Sequence, residues 1–190
     1  YCASPFDLDS ALFLLSSGAK FIKIASGEIT NYPLLKMLSN FKGQLILSTG
    51  MSSLTEVKNA TNLIIGNGFK KKNLSLLYCC SAYPSPIEDI DLKIMKNLKN
   101  TLGFEVGFSD HSNIIEASIA AVSSGASIIE KHLTLNKNDN GPDHKSSFDV
   151  RQFSKMVSSI RIVQKLYGNG QKTIKSSEKE NRKIARKSIV

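Results

Sequence analysis

The sequence has no long apolar run and few cysteines. None of its apolar stretches approaches the roughly 20 residues that a membrane span requires, and we expect neither a signal peptide nor an association with a membrane. Three cysteines are too few for the disulfide framework of a secreted protein. Adjacent Cys79 and Cys80 would point to opposite faces of a strand, which argues against a bridge between them. We therefore expect reduced thiols and a cytoplasmic location.

The sequence also lacks the patterns of nucleotide- and nucleic-acid-binding proteins. No glycine-rich dinucleotide motif follows any apolar run, and no stripe of basic and aromatic residues runs through the chain body. The net charge is +9, of which residues 168–190 supply +5. This Gly-, Ser- and Lys-rich tail is typical of a linker or a solvated extension. The mildly positive body suits an anionic small molecule, and we expect no nucleic-acid partner.

What the sequence does have is a regular alternation of short apolar runs and longer amphipathic segments. The apolar runs predict strands at residues 1–4, 21–25, 44–48, 75–79, 106–108 and 127–133. The amphipathic segments predict helices at residues 8–17, 32–39, 54–66, 91–100, 114–124 and 150–167. Ser53 and Glu56 have the spacing of a capping box at the start of the third helix.

Six consecutive βα units predict a parallel sheet, either an open doubly wound sheet or part of a (β/α)₈ TIM barrel. The missing dinucleotide motif weakens the first alternative. The six units use residues 1–167, whereas a whole barrel typically needs about 250 residues. We therefore predict a partial TIM barrel that carries strands three to eight. Such a fragment could not close the barrel alone.

Two histidines each close one of the apolar runs. His111 and His132 are separated by one helix and one strand, so consecutive parallel strands would bring both imidazoles to the same edge of the sheet. Active sites of parallel α/β proteins lie at that carboxyl-terminal edge. With Asp110 and Glu130 beside them, the two rings form a plausible divalent-metal site. Taken alone, His132 would more often be a hydrogen-bonded core histidine, but its pairing with His111 favours the metal site.

Other strand ends carry hydroxyls, glycines and a lysine, which together can hold a phosphate. Lys23 lies inside an apolar run, so an inward orientation would require an anion or a carboxylate nearby. An outward lysine with its ammonium at the surface is the alternative. Asp143 lies in a polar loop and could simply be solvated.

Seven motifs together resemble the N-acetylneuraminate (sialic acid) synthase family, which includes the legionaminic and pseudaminic acid synthases. In order, they are Ala3-Ser-Pro-Phe-Asp7, Lys23-Ile-Ala-Ser-Gly-Glu28, Ser48-Thr-Gly-Met51, Tyr83-Pro-Ser-Pro, Gly107-Phe-Ser-Asp-His111, Ile129-Glu-Lys-His132 and Gly141-Pro-Asp-His-Lys145. The resemblance implies a TIM barrel that condenses phosphoenolpyruvate with an N-acetylmannosamine-like amino sugar to give a nonulosonic acid and phosphate. Ser26-Gly27-Glu28 looks more like the sialic and legionaminic branches than the pseudaminic one.

The resemblance also implies a role for individual residues. His111 and His132 would bind a divalent metal, Mn²⁺ or Mg²⁺. The phosphoenolpyruvate site would be lined by Ser4, Lys23, Ser26, Ser81 and Ser109. The open-chain sugar would contact Glu28, Tyr83 and Asp143, and Glu28 could also transfer a proton. Glu130 would lie beside the metal, so the catalytic group would comprise Glu28, Lys23, Tyr83, Glu130 and Asp143.

The same resemblance predicts what accompanies this stretch of sequence. Two further barrel strands would precede residue 1, and residues 168–190 would be a basic linker toward a C-terminal antifreeze-like (SAF) domain. The full-length protein would be a homodimer, and the 190 residues alone would have no synthase activity. Three alternatives are another metal-dependent synthase that uses phosphoenolpyruvate, a non-catalytic barrel that binds a sugar phosphate, and nucleic-acid binding through the basic tail.

Overall fold

The computed structural model describes residues 1–187, so the last three residues of the predicted linker, 188–190, lie outside the described part. The strands are β1 (Cys2–Ala3), β2 (Phe21–Ile24), β3 (Gln44–Ser48), β4 (Leu74–Cys79), β5 (Glu105–Asp110) and β6 (Ile129–Lys131). The helices are α1 (Leu8–Ser16), α2 (Tyr32–Leu38), α3 (Leu54–Gly66), α4 (Lys93–Leu102), α5 (Ile115–Ser123), α6 (Val150–Tyr167) and α7 (Lys179–Ala185). All twelve elements predicted from the alternation are present.

The strands form one sheet in the order β1-β2-β3-β4-β5-β6, and each neighbouring pair is parallel. Each strand therefore pairs with its neighbours in the chain. A doubly wound sheet reverses its strand order at a switch point, and this sheet has no reversal within residues 1–187. The doubly wound alternative is thus wrong for the described chain.

The sheet curls strongly about its long axis. Lys23 on β2 and Glu130 on β6 make an ion pair with 2.6 Å between Nζ and Oε1, although three strands lie between them. In a flat sheet, four strand spacings of about 4.8 Å would hold these residues about 19 Å apart. The six strands therefore form a half-barrel, with these two side chains on its concave face.

The main hydrophobic core lies on the convex face, between the sheet and the helices. Alternate strand residues point into it and are almost fully buried; they include Ile22, Ile24, Leu45, Leu47, Leu76, Val106 and Phe108. Because side chains alternate along a strand, the residues between them face the interior of the half-barrel. A smaller cluster, built on Phe148, Met156 and Ile160, holds α6 against α5.

Local signals explain several element boundaries. Ser53 and Glu56 form the predicted capping box at the start of α3, with each side chain bonded to the other residue's backbone N–H. Helix α4 ends later than predicted, because Gly103 adopts the left-handed conformation (φ 72°) and its N–H bonds to the Lys99 carbonyl. Strand β5 extends to Asp110 because this residue pairs with Lys131 of β6.

Strand β6 is shorter than predicted, because Leu133 leaves the ladder and bridges Phe148 in the following loop. The tail differs from a simple linker by containing α7, and its described residues from 168 onward are exposed. No helix within residues 1–187 is long and apolar enough to cross a membrane.

Candidate active site

The two histidines meet at the carboxyl-terminal edge of the sheet. Strand β5 ends at Asp110 and β6 at Lys131, so His111 and His132 are each the first residue after a strand. Their ring centroids are 5.5 Å apart, with the ring planes inclined by 72°. The structure therefore brings together the pair that the sequence predicted, at the predicted edge.

The surroundings of His111 favour the neutral ring with its Nε2 unprotonated. Its Nδ1 lies 2.8 Å from the Cys80 carbonyl oxygen, which can only accept, so Nδ1 carries the proton. Burial lowers the pKa of His111, and the hydrogen bond to Cys80 opposes this shift only in part. The Nε2 atom lies 3.1 Å from Ser109 Oγ. A neutral imidazole with a fixed tautomer is the form that binds metal ions.

Lys23, Glu130 and Ser109 form a chain of charge-assisted contacts beside the histidines. Glu130 Oε1 accepts hydrogen bonds from Lys23 Nζ and from Ser109 Oγ, each 2.6 Å long. The Lys23 side chain is only 21% exposed and the Glu130 side chain 33%. Lys23 thus points inward and has the carboxylate partner that its apolar setting required, so the outward alternative is wrong.

Two further predicted residues, Ser26 and Ser81, lie on either side of Gly50. The Gly50 N–H donates to Ser26 Oγ at 3.0 Å. A Cβ atom added to Gly50 would lie 2.2 Å from Ser81 Oγ and 2.9 Å from both Ser26 Oγ and Cys79 Sγ. Only glycine allows the backbone to approach these hydroxyls so closely. Cys79, which was not predicted as a site residue, belongs to this cluster and lies 3.4 Å from Ser26 Oγ.

Tyr83 covers the histidines from the solvent side. Its ring stacks on His111, with centroids 4.3 Å apart and planes inclined by 29°, and meets the edge of His132 at 5.5 Å. Burial raises the pKa of the Tyr83 phenol, and the neighbouring Cys79, Asp143 and Glu130 raise it further. The phenol is therefore protonated at neutral pH and can donate a hydrogen bond.

The remaining predicted residues lie in segments that follow strands β6, β2 and β1. Asp143, in the loop after β6, has Oδ2 at 3.7 Å from His132 Nδ1. Glu28 lies in the 3₁₀ turn after β2, where its carboxylate accepts from the Asn31 amide at 2.7 Å. Ser4 directly follows β1 and is half-buried. Every predicted site residue thus lies on a strand near its carboxyl end or in the segment that follows.

Asp110 does not face the site, contrary to the expectation that it lies beside the metal. Its side chain points to the convex face, where it pairs with Lys131 at 3.2 Å, and both side chains are fully buried. It also accepts from Ser118 Oγ at 2.6 Å and from the Ser112 N–H at 2.8 Å. The physical reason is strand alternation: Asp110 lies between inward-facing Ser109 and the first residue of the loop.

The donor set at this edge fits a cation with open coordination positions. Two imidazole nitrogens can bind a divalent metal while water or substrate completes the shell. Within residues 1–187, no group of three or more His, Cys, Asp or Glu side chains is placed to hold a metal ion. A metal held by these two imidazoles would therefore need water or another ligand to complete its coordination.

Residues 1–172 match the model of the NeuB family. The chain belongs to this family. It is 45% identical over 190 residues to the N,N'-diacetyllegionaminic acid synthase of Campylobacter jejuni, a match that covers all of this chain and 57% of that protein. It is 40% identical over 192 residues to the N,N'-diacetyllegionaminic acid synthase of Legionella pneumophila, covering all of this chain and 54% of that protein.

NeuB family membership is also visible in the fold. The crystal structure of the N-acetylneuraminic acid (sialic acid) synthetase of Leptospira borgpetersenii superposes with a TM-score of 0.85 and 34% sequence identity, covering 95% of this chain and 62% of that one. The family resemblance seen in the motifs is therefore confirmed. The chain spans little more than half the length of the curated relatives it matches.

Proposed function

We propose that the protein carrying this chain condenses phosphoenolpyruvate with an N-acetylmannosamine-like amino sugar to give a nonulosonic acid and phosphate. In this reaction C3 of phosphoenolpyruvate bonds to the aldehyde carbon of the sugar. Water adds at C2, and the C2–O bond to phosphate breaks. The names of the two legionaminic acid synthases and of the sialic acid synthetase support an acid synthase of this type.

In this proposal, the inward lysine and the hydroxyls hold phosphoenolpyruvate. Lys23 supplies a cation inside the half-barrel, where it pairs with the Glu130 carboxylate. The Ser26 and Ser81 hydroxyls lie together beside the Gly50 backbone, and Ser109 lies next to Lys23's partner. Ser4, after β1, completes the set. Hydroxyls and a cation at one edge can bind phosphate and carboxylate oxygens while excluding bulk water from the enol.

His111 and His132 would hold the divalent metal, Mn²⁺ or Mg²⁺. When bound, such an ion would polarise the sugar aldehyde as its oxygen gains negative charge. The hydrogen bond from His111 Nδ1 to the Cys80 carbonyl keeps Nε2 free for this role. Tyr83 packs against both rings and would limit their movement.

Glu28, Tyr83 and Asp143 would contact the open-chain sugar. The protonated Tyr83 phenol can donate to a sugar oxygen, and the Asp143 carboxylate can accept from a sugar hydroxyl. Glu28 is the candidate for proton transfer, since its carboxylate is held in place by Asn31. Glu130 positions Lys23 and Ser109.

The observation that carries this proposal is the meeting of two imidazoles and an inward lysine–carboxylate pair at one edge of a parallel half-barrel. The test is phosphate release by the complete natural protein, supplied with phosphoenolpyruvate, N-acetylmannosamine and Mn²⁺. We expect turnover that stops on chelation and in His132→Ala. Turnover only with simple aldose acceptors would instead support a different sugar acid synthase, and binding without turnover would support a non-catalytic barrel.

We further propose that the activity needs more than these 190 residues. The outer edges of β1 and β6 have no strand partner within residues 1–187. Two additional strands would close the sheet into a TIM barrel and complete the substrate site. Residues 168–190 would then lead to the antifreeze-like domain of a homodimer. We expect the isolated 190-residue chain to show no phosphate release in the same assay.

A further inference from the structure

A buried ion pair lies directly behind the two histidines, on the opposite face of the sheet. Asp110 and Lys131 each precede one of the histidines and face each other across the last rung of the β5–β6 ladder. Because side chains alternate along a strand, both side chains point to the convex face, whereas the residues next to them in the sequence point into the site. The pair therefore fixes the ends of both strands where the imidazoles begin.

The pair contacts three separate parts of the chain. Asp110 accepts from the Ser112 N–H and from Ser118 Oγ on α5. Lys131 donates to the Ser112 carbonyl, and its ammonium lies 4.0 Å from the centroid of the Phe148 ring. The Phe148 N–H in turn donates to the His132 carbonyl at 2.9 Å. The network thus connects His111 and His132, which follow β5 and β6, with α5 and with the β6–α6 loop.

Stability alone gives a weak explanation for such a pair. Removing two charges from water carries a large desolvation penalty, and apolar residues of similar volume are often equally stable. A buried pair with fixed hydrogen bonds does, however, define one geometry. Here that geometry sets the direction in which His111 and His132 leave their strands.

We propose that Asp110 and Lys131 are positioning residues, which hold His111 and His132 at the separation required to share one divalent cation. The inference rests on the proposed function, because it assumes that the two imidazoles bind a metal. Neither Asp110 nor Lys131 touches the cation. Both act through the backbone of the residue that follows them.

The experiment is a titration of the complete natural protein with Mn²⁺, in which electron paramagnetic resonance measures the concentration of the free ion. The main variant is Asp110→Asn combined with Lys131→Met, which removes both charges but leaves an acceptor for the Ser112 N–H. We expect its Mn²⁺ dissociation constant to rise by about 10- to 100-fold, as for loss of other residues that orient metal ligands. The matched control, Lys99→Met with Glu105→Gln, removes an exposed ion pair of 2.9 Å and should leave Mn²⁺ affinity unchanged.

The outcomes separate the inference from the proposed function. A parent protein that binds no Mn²⁺ would contradict the proposed function and this inference together. A parent that binds Mn²⁺ and a folded double variant of equal affinity would contradict this inference alone. If the double variant does not fold, Ser118→Ala removes one hydrogen bond to Asp110 without changing either strand. It should weaken Mn²⁺ binding by a smaller factor, and an unchanged affinity would overturn the inference.

Discussion

Lys23 and Glu130 lie 107 positions apart in the sequence, yet their ammonium and carboxylate groups are 2.6 Å apart inside the half-barrel. The contact joins the second strand to the sixth. It neutralises a cation that would otherwise lie in a partly buried site without a partner. It also places a carboxylate where we propose that an anionic substrate binds, so that substrate must compete for the Lys23 ammonium.

Lys23→Met is expected to weaken the use of phosphoenolpyruvate strongly. A hydrogen bond to a charged group contributes about 1.5–3 kcal/mol, so kcat/KM for phosphoenolpyruvate should fall by about 10- to 100-fold or more. Steady-state phosphate release measures this. Lys99→Met, which removes an exposed lysine paired with Glu105, is the control and should have no effect. An unchanged kcat/KM in Lys23→Met would contradict the assigned role.

Gly50→Ala should disturb the hydroxyl cluster and raise the KM for phosphoenolpyruvate. The new methyl group would lie 2.2 Å from Ser81 Oγ and 2.9 Å from Ser26 Oγ, so both hydroxyls must move. Gly66→Ala is the matched control, because a Cβ atom there meets nothing within 4 Å and the residue ends α3. The control should leave KM unchanged and raise the free energy of unfolding by at most about 1 kcal/mol. Equal KM values in both variants would contradict the assignment of this hydroxyl cluster to the substrate site.

Tyr83 should contribute to sugar binding through its hydroxyl and to metal binding through its ring. Tyr83→Phe keeps the stacking on His111, so the Mn²⁺ dissociation constant should stay the same while the KM for the sugar rises. Tyr83→Ala removes the ring and should weaken Mn²⁺ binding as well. Titration of Mn²⁺ and steady-state kinetics on the two variants distinguish these effects. A weaker Mn²⁺ affinity in Tyr83→Phe would show that the hydroxyl, not the ring, supports the metal site.

Glu56 should make helix α3 sensitive to acid. Hydrogen bonds from the Ser53 backbone, and then from its side chain, lower the pKa of Glu56 below its ordinary value of 4.5. A carboxyl group with a lowered pKa stabilises the fold above its unfolded pKa, and this contribution is lost as the pH falls through the folded value. Thermal unfolding of Glu56→Gln should therefore give a lower Tm than the parent at pH 7, with a difference that disappears in acid. Glu88→Gln, at an exposed position, is the control and should follow the parent throughout.

Much of the fold follows from short-range patterns in the sequence. The twelve main elements were predictable because each strand is a short apolar run and each helix has an apolar face. Helix α7 was not, because its described residues are all exposed and carry no apolar periodicity. The curl of the sheet depends on contacts such as Lys23 with Glu130, which no local pattern contains.

The candidate site shows where sequence reasoning fails. Asp110 was expected beside the metal, yet strand alternation turns its side chain, like that of Lys131, away from the site. The two-residue period could have predicted this once Ser109 was assigned to the interior. The group that orients His111 is the backbone carbonyl of Cys80. Because every residue has such a carbonyl, the sequence does not indicate this contact, and only the three-dimensional structure reveals it.

The sequential strand order has a consequence for synthesis on the ribosome. Each βα unit can dock on the unit made just before it, so the sheet can grow in step with translation. Strand β6 supplies the partners of Lys23, Ser109 and Asp110, and it is the last of the six to emerge. A nascent chain that stops before this strand would leave the Asp110 carboxylate buried without its counter-charge. Premature termination in that interval should therefore give a product that is cleared by proteolysis rather than one that accumulates.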